Sequence, residues 1–169
     1  MGKEIKDFVW TPSPAELLSE NEWVVSEVNK VGQHTLELLA KLAAGARGNA
    51  YQIYSGYSVG AALLSHSGVV WDSCNAEAVT YTETDHAEKS VITRAINCGE
   101  TRLHGRKFIR AIAVSHKGES GPCGGCRQRI AEHADNCLIL DVDPEGKIKR
   151  ITSLKALLPY AFTPSHLGK

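Results

Sequence analysis

Two cysteines stand three apart in PCGGC, residues 122–126, and a histidine and a glutamate stand two apart in DHAE, residues 85–88. Imidazole and thiolate are preferred zinc ligands, and a carboxylate beside such a metal can move protons. Cys123 and Cys126 fall where a helix is expected to begin, so both sulfurs project from one turn while the glycines between them let the backbone wrap closely. Unpaired amides at a helix N-terminus stabilise the thiolate form that binds zinc. On its own, a CxxC pair also fits a redox dithiol, half of a structural zinc site or a chance spacing. His86 and Glu88 shift the balance toward a catalytic metal. In mid-helix, residues two apart point to nearly opposite sides, so both can face one ion only if His86 is the cap and Glu88 lies in the first turn.

One imidazole and two thiolates leave the fourth tetrahedral position open for water, which is the pattern of a catalytic zinc site. A structural site needs a fourth protein ligand. Cys74, Cys98 and Cys137 are the remaining cysteines, and each lies in or beside an apolar element, where a free buried thiol is the commoner explanation. Two thiolates cancel the charge of the dication, and a near-neutral site lets the metal lower the pKa of a bound water toward roughly 7. Glu88 is then placed to take that proton and pass it to a substrate. Without His86 and the cysteines, it would read as a glutamate that merely favours a helix start.

The elements that must position these residues follow from the hydrophobic pattern. Residues 14–46 carry apolar side chains at helical spacing, among them Leu17, Val24, Val28, Val31, Leu38, Leu39 and Leu42, with Ser13 as a cap, Pro14 in the first turn and Gly32 as a break. Residues 1–13 read as an irregular arm. VGAALLSH and VVWDSCNA, joined through Ser67 and Gly68, form a hairpin. DHAEKSVITRAINCGE turns Ala87, Val91, Ile92, Ala95 and Ile96 to one side and stops at Gly99. FIRAIAVS is a strand, PCGGCRQRIAEHA a helix and CLILDV a buried strand. DPEG leaves room only for a tight turn before KIKRIT, so the last two strands are expected to run antiparallel. Ser153 caps a closing helix. The expected architecture is α/β: three layers, with a five-stranded mixed sheet between helices on both faces.

The chain has 169 residues, which suits a single domain. Its 19 basic and 19 acidic residues balance without long blocks of one sign, which argues against nucleic acid and anionic membranes as partners. Five dispersed cysteines are expected to stay reduced or metal-bound, the N-terminus has no secretory pattern, and no apolar run approaches membrane-spanning length. A cytoplasmic location is the expectation.

HAE together with PCGGCRQ resembles the zinc nucleoside deaminases, and YSGYSVGAAL (54–63) and CNAE (74–77) are similar to the substrate-side motifs of the cytidine deaminase family. The likeness covers about residues 51–162. It implies the cytidine-deaminase-like fold and one zinc ion per chain, held by His86, Cys123 and Cys126, with Glu88 as the catalytic proton shuttle. It further implies that Asn75 and Glu77 bind ribose, that Tyr57 packs against the nucleoside, and that Ala87 and Glu88 read the polar edge of the pyrimidine. Phe162, in LLPYAFTPSHL, would cover the pocket within its own subunit or across a boundary. The implied activity is hydrolysis of cytidine and deoxycytidine to the uridine forms with release of ammonia, as in pyrimidine salvage, by a homo-oligomer, dimer or tetramer. A modified cytosine nucleoside or a blasticidin-type antibiotic is the alternative substrate, and a non-catalytic zinc protein the alternative of another class. Residues 51–169 are taken as the deaminase core and 1–50 as an arm and helix packed on it. Tyr57 stands where the family more often has phenylalanine, Ser58 where proline is common, and Ala78 where asparagine is common.

Overall fold

Gly32 divides the first helical stretch, as its place in the apolar pattern suggests. A computed structural model describes residues 14–118 and 120–168, with side chains from residue 22 onward. In it α1 (Pro14–Val31) gives way to α2 (Gln33–Arg47) at Gly32, whose φ of 85° lies in the left-handed region that glycine tolerates. The cap expected at Ser13 and the arm at 1–13 lie outside the described residues. The break resets the angular phase of the second helix. Leu36, Leu39, Ala40 and Ala43 therefore face the core, and Leu38, counted with the apolar residues of 14–46, is exposed.

The hairpin follows as β1 (Gly60–Ser65) and β2 (Val70–Cys74), and then come α3 (Ala87–Asn97), α4 (Glu100–His104), β3 (Ile109–Ser115), α5 (Gly124–His133), β4 (Leu138–Val142), β5 (Ile148–Ser153) and the single turn α6 (Leu154–Leu157). The five strands form one sheet in the order β2-β1-β3-β4-β5. Only β3 and β4 pair in parallel, joined by α5 as a crossover, while the remaining neighbours are antiparallel. The DPEG connection is a tight turn, with Gly146 N–H donating to the Asp143 carbonyl and the Asp143 carboxylate accepting from the Glu145 and Lys147 amides. The last two strands are accordingly antiparallel, as the short connection requires.

Alternation along the strands produces two apolar layers. Ala61, Leu63, Ile112, Val114 and Ile139 face α3 and α5, which contribute Val91, Ile92, Ala95 and Ile130. Ala62, Leu64, Ala111, Ala113, Leu138 and Leu140 face α2, with Trp23, Val24 and Val28 of α1 packed at the margin. The small residues of β1 and β3 on that side let α2 approach closely. At Gly60 the approach is limiting: a Cβ there would lie 2.0 Å from the Ala43 carbonyl oxygen and 2.5 Å from the Arg47 nitrogen. α4 was not expected from the sequence. It follows Gly99, and its first residue, Glu100, is buried beneath the hairpin turn, accepting from the Ser65 and Ser67 hydroxyls.

Candidate active site

α3 and α5 direct their N-termini at a common point beyond the end of the sheet's buried strands. His86 is the N-cap residue of α3, with extended backbone (φ −74°, ψ 144°), and Cys123 is the N-cap residue of α5 (φ −63°, ψ 163°). Neither side chain caps its own helix. They turn toward each other instead: His86 Nδ1 lies 3.6 Å from Cys123 Sγ and 3.4 Å from Cys126 Sγ, and the three donor atoms fall within 4.8 Å of one another. Among the described residues this is the only such group of potential metal ligands. Cys74, Cys98 and Cys137 do not join it; Cys137 is a buried thiol, Cys74 is half-buried, and Cys98, at the end of α3, is exposed rather than buried as expected.

Glu88 sits in the first turn of α3 and is buried, which is where the cap position of His86 should bring it. Burial, with the negative charges of Glu88 and Cys123 close by, pushes the Cys126 thiol well above its ordinary pKa. Two sulfurs and a carboxylate crowded at low dielectric call for a cation, and a nitrogen with two sulfurs in this spacing suits zinc. The residues therefore fit the metal.

The ligands open onto a cleft of about 250 Å³, whose lining includes Tyr57, Asn75, Glu77, His86, Ala87, Glu88 and Cys123. Beyond β2, Asn75 and Glu77 are both buried, since Ala76 between them bridges Tyr51 on one side and Asp85 on the other. Their motif carries no sign of the hydrogen bonds they make. Asn75 Oδ1 accepts from Val59 N–H at 2.7 Å and its Nδ2 donates to the Tyr57 carbonyl at 3.0 Å. Glu77 accepts from the Ser55 hydroxyl and from the amides of Tyr54 and Ser55, an arrangement, led by the hydroxyl, that holds its carboxyl below the usual range. Both residues thus latch the 54–59 loop to the floor of the cleft.

Tyr57 lines the cleft with its ring about half-exposed, and its hydroxyl donates to the Lys117 carbonyl at 3.0 Å. Phe162 is not brought to the cleft of its own chain. It is 58% exposed, stacks on His166 at 5.3 Å between ring centroids, and accepts from Gln128 Nε2 through its carbonyl at 2.6 Å. The sequence reading passed over Ser55, Thr84, His116 and Ser120, which also line the cleft. His116 is buried, with Nε2 3.0 Å from Asp141 Oδ1 but off the line of a good hydrogen bond. Its place just after β3, one of the two parallel strands, was the available signal, because clefts in α/β sheets form at the carboxyl ends of such strands.

With this geometry in view, the likeness to known proteins is specific. Residues 33–140, more than half of the chain, match the model of the cytidine and deoxycytidylate deaminase zinc-binding region. Cytidine deaminase of Sporosarcina psychrophila is 36% identical over 125 residues, covering 73% of this chain and 88% of that protein. Cytidine deaminase of Halalkalibacterium halodurans is 40% identical over 136 residues, covering 78% and 97%. A crystal structure of cytidine deaminase from Burkholderia pseudomallei superposes with a TM-score of 0.67 at 33% identity, covering 78% of this chain and 99% of that one. The matched residues include His86, Cys123 and Cys126 and most of the sheet that positions them, and the chain belongs to the cytidine and deoxycytidylate deaminase family.

Proposed function

We propose that this protein is a zinc-dependent hydrolase that deaminates cytidine and deoxycytidine. The observation that carries the reading is the convergence of His86, Cys123 and Cys126 on one point, with Glu88 buried beside them and a cleft opening at that point. His86 Nδ1 and the two sulfurs hold one zinc ion per chain, and such an ion supplies Lewis acidity that brings a water toward ionisation near neutral pH. Glu88 takes a proton from the attacking water and delivers it to the pyrimidine. As the water oxygen bonds to C4, that proton goes to ring N3; the new C4 hydroxyl then passes its own proton through Glu88 to the exocyclic nitrogen, the C4–N bond breaks, and ammonia leaves with C4 as a carbonyl.

Asn75 and Glu77 line the cleft as an amide and a carboxylate, groups suited to sugar hydroxyls, and the latch they form with the 54–59 loop keeps them in place before substrate arrives. Tyr57 offers its ring to the nucleoside, and Ala87 and Glu88, at the first turn of α3, meet the polar edge of the base. The Glu77 carboxylate disfavours a nucleotide phosphate nearby, so free nucleosides are the substrates, consistent with a part in pyrimidine salvage. All these residues lie in 51–169, which we take as the deaminase core, with 1–50 as its arm and helical cover. No helix among the described residues is long and apolar enough to cross a membrane, and we place the protein in the cytoplasm. Ile53, Tyr54, Val79 and Tyr81 leave an exposed apolar rim near the cleft, and Tyr160 and Phe162 another, which suits a homo-oligomer and lets Phe162 act on a neighbouring subunit's site.

A substrate panel tests the reading. Zinc-loaded protein should convert cytidine and deoxycytidine to the uridine forms, followed by ultraviolet absorbance, with kcat/KM well above that for the corresponding nucleotides and for free cytosine. Stoichiometric zinc with no turnover of any cytosine nucleoside would refute it.

A further inference from the structure

One wall of the cleft is the loop before β1, contributing Ser55, Tyr57 and Val59. Another is the segment after β3, contributing His116, Ser120 and Gly121. The first wall is well fixed. Glu77 accepts from its Tyr54 and Ser55 amides, Tyr57 N–H donates to Ser55 Oγ at 3.0 Å, and Asn75 holds Tyr57 and Val59 by their backbones. Arg47 Nε adds a bond to the Ser58 carbonyl from the end of α2.

The second wall has a different kind of support. At its start, His116 N–H donates to the Val142 carbonyl, and the buried His116 ring lies beside the buried Asp141 carboxylate: Nε2 is 3.0 Å from Asp141 Oδ1, and Asp141 Oδ2 is 3.4 Å from Nη2 of the half-exposed Arg150. Gly118 has a left-handed φ of 109°, and it lies with Asp141, Lys149 and Arg150 around a polar hollow of about 370 Å³. Among the described residues, the hydrogen bond that joins this stretch to the fixed wall comes from the Tyr57 hydroxyl, donating to the Lys117 carbonyl at 3.0 Å.

We propose that the Tyr57 hydroxyl is a positioning group for the nucleoside, a clip that ties Lys117, in the wall after β3, to the 54–59 loop and so sets the width of the cleft. The proposal rests on the deaminase reading of the same cleft and assigns the phenol a task that the aromatic ring alone does not perform. A phenyl ring would fill the same space and present the same face, but it has no donor, and the Lys117 carbonyl would be left to water. The wall would then have to be ordered by each substrate as it binds, at the expense of affinity. The chemistry at Glu88 and the ligands would be untouched, because the clip acts on the substrate's surroundings and not on the reacting atoms.

Tyr57→Phe separates the two roles of the side chain. The expected result is a rise of about fivefold in KM for cytidine, the equivalent of about 1 kcal/mol for one lost hydrogen bond, with kcat within about twofold of wild type and zinc content unchanged. Hydrogen exchange should show faster exchange of the Lys117 and Gly118 amides in the variant, with the amides of the sheet strands unaltered. A variant with wild-type KM and wild-type exchange in that stretch would overturn the proposal, as would a fall in kcat at unchanged KM. The exchange measurement needs no turnover. A wild-type protein inactive on cytidine would therefore sink the deaminase reading, while the presence or absence of the clip would still be decided by exchange.

Discussion

At the residue scale, the cluster of His86, Cys123 and Cys126 was legible because the chemistry of a metal site dictates both residue types and their spacing. A CxxC at a helix start and a histidine one position before another helix leave few geometries, and the structure adopts the one in which His86 and Cys123 occupy N-cap positions without capping. Asn75 and Glu77 were legible only through the family resemblance of their motif, since nothing in a sequence says that a carboxylate three residues past a strand will accept three hydrogen bonds from a loop more than twenty residues earlier. That latch has a pH signature. The Glu77 pKa is lowered from 4.5 by the Ser55 hydroxyl and the loop amides, so its stabilising contribution is present above that value and is lost as pH falls through the lower folded value. Thermal midpoints of wild type and Glu77→Gln, measured from pH 7 down to pH 3, should therefore converge below about pH 4.5. A gap that stays constant over the range would show that the ionised carboxylate contributes nothing to the fold.

At the scale of elements, each strand and the two helices that carry ligands were readable from periodicity and turn residues, and the DPEG turn fixed the direction of the last strand. Two features were not. The outward turn of Leu38 follows from the break at Gly32, because a continuous helix and two helices with a new phase have the same composition but different faces. α4 is too short for any periodic signal, and only the burial of Glu100 beneath the hairpin turn accounts for its place. The close approach of α2 to β1 gives a test at this scale. Gly60→Ala puts a methyl group against backbone rather than against a flexible side chain, so α2 must move off the sheet. The expected cost is about 1–3 kcal/mol or more in chemical denaturation. Unaltered stability would mean that α2 is not held against β1 as described.

At the scale of the whole molecule, the fold works as a frame that brings two helix N-termini together at the mouth of one cleft. The sheet supplies the rigid part: β3 and β4 are buried from end to end apart from the half-buried Arg110, and α3 and α5 pack on the same face of them, so the histidine and the cysteines are placed by elements and not by mobile loops. The opposite side of the cleft is built differently, from loops latched by Asn75, Glu77 and the Tyr57 hydroxyl. Such a division predicts that the metal can be kept while catalysis is removed. The most direct test is the rate of uridine formation from cytidine by wild type and Glu88→Gln at matched zinc content. The account predicts full zinc in both proteins and a loss of at least about 10²- to 10⁴-fold in kcat for the variant. A zinc-loaded Glu88→Gln protein that turns over cytidine at the wild-type rate would contradict it.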